Sequence, residues 1–208
     1  MGGHEANALN IWRINADGSG TVRLSRGKAD GWPICSPDQK WVYYVDFSTQ
    51  QGIRRVSLDG SQKSEAIAGS SDFHGLRLGG PIDISADGRT LAYAVELINA
   101  ETPQEAGPQK TALLKVELGG SPRLLDANPH ISGGVQFTSD GKAIAYPIRE
   151  HGVDNLWIQP LDGSAGHKIT NFASDQIDIF YWSPDGKNLG VLRRHTESDV
   201  VLLQESKQ

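Results

Sequence analysis

One cysteine and one methionine occur in 208 residues. With a single thiol, Cys35, no internal disulfide can form, and the redox compartment stays undetermined. No apolar run is long enough to span a membrane. The start, Met1-Gly2-Gly3-His4-Glu5, reads as neither a signal peptide nor an anchor. Amphipathic helices are also missing, since Ala100 to Ala106 is short and interrupted by Pro103. Basic residues do not predominate: 20 Lys and Arg stand against 25 Asp and Glu, for a formal charge of −5. That balance argues against general nucleic-acid binding, which needs a basic face. The pairs Arg54-Arg55 and Arg193-Arg194 read as solvated strand faces.

Glycine, at 24 residues, is plentiful and falls mostly in turns and loops, which favours many short strands. The clearest stretch is Tyr181-Trp182-Ser183-Pro184-Asp185-Gly186-Lys187-Asn188-Leu189-Gly190-Val191-Leu192. It reads as strand, tight turn, strand. Pro184 presets φ, Asp185 bonds its own backbone, and Gly186 accepts positive φ. The pattern recurs at Cys35-Ser36-Pro37-Asp38-Gln39-Lys40, at Ile84-Ser85-Ala86-Asp87-Gly88-Arg89 and at Phe137-Thr138-Ser139-Asp140-Gly141-Lys142. The turn aspartates Asp38, Asp87, Asp140 and Asp185 recur about every fifty residues, a period of propeller blades and repeat arrays.

A second phrase alternates with the first. Ile11-Trp12-Arg13-Ile14, Ile53-Arg54-Arg55-Val56, Leu113-Leu114-Lys115-Val116 and Leu156-Trp157-Ile158 each run into a turn at residues 17–19, 59–61, 119–121 and 162–164. A short strand follows, so each period holds four strands. The fold class expected is all-β, an antiparallel β-propeller of about four four-stranded blades forming a partial ring. Residues 1–8 are expected to be a disordered lead and residues 9–208 one domain. Leu9 to Ile14 and Thr21 to Leu24 supply the last two strands of a blade. Full blades are expected from Trp32 to about Ile67, from Pro81 to Leu125 and from Gly134 to Thr170. A fourth begins at Ile179, with Val200 to Leu203 as its third strand. This strand count leaves three arrangements open: a fragment of a larger ring, which is favoured, a small irregular ring, or two chains closing one ring. Ser70 to Gly80 and Asn99 to Lys110 are expected as long polar loops suited to partner contact.

The alternation of Asn-Leu-Trp-Ile and Asp-Gly-Ser with Trp-Ser-Pro-Asp-Gly-Lys resembles the TolB-like β-propeller repeat, a bacterial relative of WD-repeat propellers. The likeness runs from Leu9 to Leu203. Trp32-Pro33-Ile34-Cys35-Ser36-Pro37-Asp38-Gln39-Lys40-Trp41 is similar to propellers at the C-terminus of membrane-anchored bacterial serine/threonine kinases. Gln39 in place of glycine, Ala86 in place of proline and Gly119 in place of aspartate depart from the repeat. The resemblance implies a non-catalytic sensory or interaction module of a larger signalling protein, outside the cytoplasm. A related alternative is the gating propeller of a prolyl-oligopeptidase-type peptidase, and a third is a stand-alone scaffold. Within the chain there is no Gly-x-Ser-x-Gly elbow, no glycine-rich phosphate loop, no His-Arg-Asp and no Asp-Phe-Gly.

Propeller topology puts the loops between blades and those joining second to third strands on one rim. That rim is expected to carry Asp30, His74, His130, Arg149, Glu150, His151, Asp154, Asp175, Asp178 and His195. Such a set suits a protein partner or a small anionic or sugar-like ligand. Polar loops carry His and Asp without any ligand too, and Asp30, Asp175 and Asp178 also suit bonds to neighbouring amides across blades. No metal spacing such as His-x-x-x-His appears, and no cofactor is expected. Cys35 and the aromatics Trp12, Trp41, Tyr44, Tyr93, Tyr146 and Trp157 are expected to pack within and between blades. Open blade edges leave homo-oligomerisation possible.

Overall fold

The computed structural model describes residues 8–48, 52–69, 76–98, 106–115, 122–183 and 185–195. Among them there is no helix, and therefore none long and apolar enough to cross a membrane. A two-stranded sheet of β1 (Trp12–Arg13) and β2 (Val22–Arg23) comes first. Blade 1 follows as β3 (Asp30–Cys35), β4 (Trp41–Asp46), β5 (Gly52–Ser57) and β6 (Glu65–Gly69). Blade 2 is β7 (Leu76–Ile84), β8 (Thr90–Ile98), β9 (Ala106–Lys115) and β10 (Arg123–Leu124). Blade 3 is β11 (Gln136–Phe137), β12 (Ala143–Glu150), β13 (Val153–Pro160) and β14 (His167–Lys168). The last sheet pairs β15 (Gln176–Trp182) with β16 (Leu189–Arg194). Every blade is an antiparallel meander in sequence order. The described residues form an open arc, because β1–β2 and β15–β16 remain separate sheets.

The tight turns are built by one device used four times. Ser36 donates its hydroxyl to Asp38 Oδ1 at 2.6 Å, and the same oxygen accepts the Lys40 amide at 3.1 Å. Ser36 Oγ in turn accepts the Trp41 amide at 3.0 Å. Ser85 with Asp87, Thr138 with Asp140 and Ser183 with Asp185 repeat the arrangement at the same 2.6 Å. These bonds close the turn with side chains where the backbone ladder runs out. Gly88, Gly141 and Gly186 then take positive φ of 71°, 67° and 68°, whereas Gln39 holds 57° with a side chain present.

Alternation along the second strands divides the core into interblade layers. Tyr43 and Val45 of β4 pack with Leu91, Tyr93 and Val95 of β8. Val42 and Tyr44, on the opposite face, pack with Ile11 and Leu24 beneath β1–β2. Ala92 joins Ile144, Tyr146 and Ile148 between blades 2 and 3, and Ala145 joins Leu156, Ile177 and Phe180 beyond blade 3. Each wholly buried Leu or Ile contributes roughly 1.5–3 kcal/mol.

Three expectations are corrected. Cys35 is exposed rather than a core residue. It pairs with Val42 and so shares the face turned toward β1–β2. That sheet holds only the two outer strands of its blade, so nothing among the described residues covers the inner strand there. Trp12, expected to pack between blades, is 57% exposed for the mirror-image reason: its face points away from blade 1. The spans expected as loops at 70–80 and 99–110 are partly strand. Leu76↔Leu97 and Arg77↔Glu96 continue the ladder, as do Val95↔Lys110 and Glu96↔Gln109. Pairing satisfies backbone groups that a loop would leave to water, and Pro108 falls at the register shift between Gln109 and Ala106, a place in a strand where proline is tolerated. The expected strand at 200–203 lies outside the described residues, as does most of the lead at 1–8.

Candidate functional site

The first strands of the blades, β3, β7, β11 and β15, stand side by side along the inside of the arc. Their register places Ile34, Asp83, Gln136 and Tyr181 at equivalent positions, opposite Tyr43, Ala92, Ala145 and Gly190. Two of these residues reach to the next blade. Asp83 Oδ2 accepts the Phe137 amide at 2.6 Å, and Gln136 Nε2 donates to the Phe180 carbonyl at 2.7 Å. These bonds bridge neighbouring inner strands that have no ladder between them.

The inner strands enclose a groove of about 840 Å³. Its walls are largely apolar and include Trp32, Pro81, Phe137 and Tyr181. Trp32 stands on a register shift between Gly31 and Ile34, at φ 49°, and stacks edge-on against Phe47 with centroids 4.6 Å apart. A bulky residue held in the left-handed region is a strained feature of the kind found at binding sites. Among the described residues, the charged groups lining the groove are Asp83 and Asp178, with no Lys, Arg or His. Burial pushes the Asp83 carboxyl above its ordinary range, opposed by the bond from Phe137.

The rim residues singled out in the sequence fall into separate groups. Arg149 grips the fully buried Asp154 through two bonds of 2.7 and 2.9 Å, and Asp154 Oδ2 also accepts the Ile177 amide at 2.9 Å. The hydrogen bonds that Arg149 donates to Asp154 hold its guanidinium above its usual pKa. Glu150 accepts from Lys168 Nζ at 2.7 Å. That bond lowers the Glu150 pKa, with smaller help from Lys168's charge and from His130 and His151 nearby. His151, at φ 51°, forms the turn between β12 and β13. Asp175, at φ 67°, bonds His195 Nδ1 at 2.7 Å and lies 3.2 Å from Arg193. Asp178 meets Arg194 at 3.1 Å, on β15 at the groove wall rather than in a rim loop. Asp30 is buried away from these groups and accepts the Gly27 amide at 2.9 Å. His74 lies outside the described residues. Among the described residues no three His, Cys, Asp or Glu side chains are placed to hold a metal ion. The amide clamps across blades come from Asp83 and Asp154, not from Asp30, Asp175 or Asp178.

Comparison with solved structures decides the architecture. TolB from Acinetobacter baumannii superposes with a TM-score of 0.72 at 20% identity, covering 91% of this chain and 44% of that one. The fold is that of the TolB-like β-propellers. An oligogalacturonate lyase from Vibrio parahaemolyticus gives a TM-score of 0.68 at 15% identity, over 89% of this chain and 52% of the lyase. A puromycin-hydrolyzing peptidase of Mycobacterium tuberculosis gives 0.65 at 14% identity, over 90% of this chain and 32% of the peptidase. The chain thus spans about half of the TolB and lyase chains and about a third of the peptidase. No protein-family model and no curated protein matches the sequence.

The groove residues Asp83, Gln136 and Trp32 escaped the sequence reading. For Asp83 a signal was present: a carboxylate between Ile82 and Ile84 in an inner strand calls for a specific partner.

Proposed function

We propose that this chain is a non-catalytic binding module that receives its ligand or partner in the groove along the inner strands. The observation that carries this reading is the groove itself. It joins apolar walls, two exposed aromatic side chains and a clamped carboxylate, on a frame that interblade bonds hold rigid. Its place in the cell follows the resemblance: a sensory or interaction domain of a larger bacterial signalling protein, outside the cytoplasm. The likeness to TolB supports the propeller frame on which this reading stands, and likeness to a peptidase keeps a gating propeller as the alternative.

The test uses a bulky plug. Ala86 is exposed at the groove mouth, so Ala86→Trp obstructs the groove without disturbing the core. A panel of small aromatic amines, alcohols and acids is titrated while the emission of Trp32 and Trp182, which line the groove, is followed. Binding to the native chain that is lost in Ala86→Trp, with the circular dichroism spectrum kept, supports the reading. Equal binding by both chains, or by neither, overturns it.

A second reading concerns assembly. Trp12 and Ile14 at one end of the arc, and Leu192 at the other, are 57–59% exposed. They lie on faces of the kind that consecutive blades bury against each other within the chain. Copies of the chain therefore associate through these terminal sheets.

A further inference from the structure

We infer that the groove selects an apolar ligand bearing one cationic group, an aryl or alkyl ammonium or a guanidinium, with Asp83 as its counter-ion. The inference rests on the groove being the binding site and adds the chemical class of what enters it.

Charge is the first argument. Of the two acids lining the groove, Asp178 already faces Arg194 at 3.1 Å. Asp83 has no ion-pair partner among the described residues; its Oδ2 takes the Phe137 amide at 2.6 Å. That bond fixes the carboxylate in place across two blades. A negative group partly removed from water and lacking a counter-ion stands at a disadvantage that an incoming cation relieves. Burial raising the Asp83 pKa is the same disadvantage seen from the proton's side.

The second argument is the wall. Trp32 and Tyr181 are 41% and 58% exposed and both line the groove. Aromatic faces attract ammonium and guanidinium groups through the ring quadrupole, most strongly where water is thinned. Trp32 is held at φ 49° at the register shift, so its placement is maintained against local strain. Exclusion completes the case. An anion would meet Asp83 with no basic side chain among the described residues lining the groove to compensate it. A neutral ligand would leave the carboxylate as it is.

The experiment compares three probes of one shape on the intact chain: phenethylammonium, phenethyl alcohol and 3-phenylpropionate. Calorimetry and Trp fluorescence read the dissociation constants. A charge-assisted hydrogen bond implies that the amine binds about tenfold or more tighter than the alcohol, with the acid weakest. Asp83→Asn keeps an oxygen for the Phe137 amide and removes the charge, so it should bring amine and alcohol to within about twofold. Equal binding of amine and alcohol by the native chain overturns the inference while leaving the groove as a binding site. Failure of all three probes overturns both. An amine preference surviving in Asp83→Asn also overturns it. Should that variant fail to fold, the comparison on the native chain decides alone.

Discussion

Replacing Asp154 with alanine removes the carboxylate that ties blade 3 to the terminal sheet. Its side chain is fully buried, held by Arg149 at 2.7 and 2.9 Å, and accepts the Ile177 amide at 2.9 Å. Alanine leaves that amide buried without an acceptor, a cost of about 1–3 kcal/mol. Arg149 is also orphaned. Its side chain is 40% exposed, so it regains water, and the ~3–5 kcal/mol of breaking a wholly buried pair is an upper limit. The two effects together give about 2–4 kcal/mol. With a urea slope of about 2–3 kcal/mol per molar, the unfolding midpoint should fall by about 1 M. Asp154→Asn keeps an oxygen for Ile177 and should lose about half as much. Arg149→Ala leaves a buried carboxylate without its cation and should cost at least as much as Asp154→Asn. The assay is urea unfolding followed by tryptophan emission and circular dichroism together. A midpoint shift under about 0.3 M for Asp154→Ala would refute the reasoning. So would a neutral Arg149→Ala, since the Asp154 carboxylate would then need no counter-ion.

Gln39→Gly should stabilise the chain. Holding a side chain at φ 57° costs about 1–2 kcal/mol, and the added freedom of glycine in the unfolded chain returns part of that. A net gain of up to about 1 kcal/mol raises the thermal midpoint by about 2–4 °C, and a lowered midpoint would count against this account of the turn. Acid should loosen the turns. Backbone and hydroxyl hydrogen bonds from Ser61, with a further one from Ser57, hold Asp59 at about 2, below its ordinary 3.8. Hydroxyl bonds, first of all, lower Asp38, Asp87, Asp140 and Asp185 too. A pKa depressed on folding contributes stability that is present above the unfolded value and fades as pH falls through the folded one. For Asp59 that window runs from about 4 down to about 2. Stability that is level across this window in acid titrations by circular dichroism would contradict the assignment. The terminal sheets should make the 22.5 kDa chain associate, giving a mass that light scattering sees fall on dilution. Trp12→Glu with Leu192→Glu should give a monomer, and a native chain monomeric at every concentration would remove the assembly reading.

The repeat made most of the blade structure readable, because its turns are encoded locally. Ser36, Asp38 and Lys40 lie within five residues and close their turn on themselves. The hydrophobic alternation of Val42-Tyr43-Tyr44-Val45 likewise needs only its own strand to announce two buried faces. Blade 2 was read less well. The composition at 70–80 and 99–110 suggested loops, yet pairing resumes within both spans at Leu76↔Leu97 and at Ala106↔Ile98, with register shifts where Gly79, Gly80 and Pro108 fall. Strand pairing outweighs local propensity when a neighbouring strand offers its free edge.

What stayed hidden depends on contacts between periods. Cys35 shows the difference. By repeat position it matches Ile84, Phe137 and Trp182, and that equivalence implies burial. Burial, however, requires a neighbouring blade with inner strands of its own, and β1–β2 offers none to it. The groove follows the same logic in the opposite sense. No single period contains it; Trp32, Asp83, Phe137 and Tyr181 come from four sheets and meet because the blades turn their first strands inward. The rim histidines and acids were visible as polar residues, but in the folded chain several are already matched: Asp175 by His195 and Arg193, Glu150 by Lys168, Asp154 by Arg149. A carboxylate already matched by a cation has less to gain from a ligand than one that is not. Selectivity therefore points away from the rim and toward Asp83, whose one signal in the sequence was its place between Ile82 and Ile84.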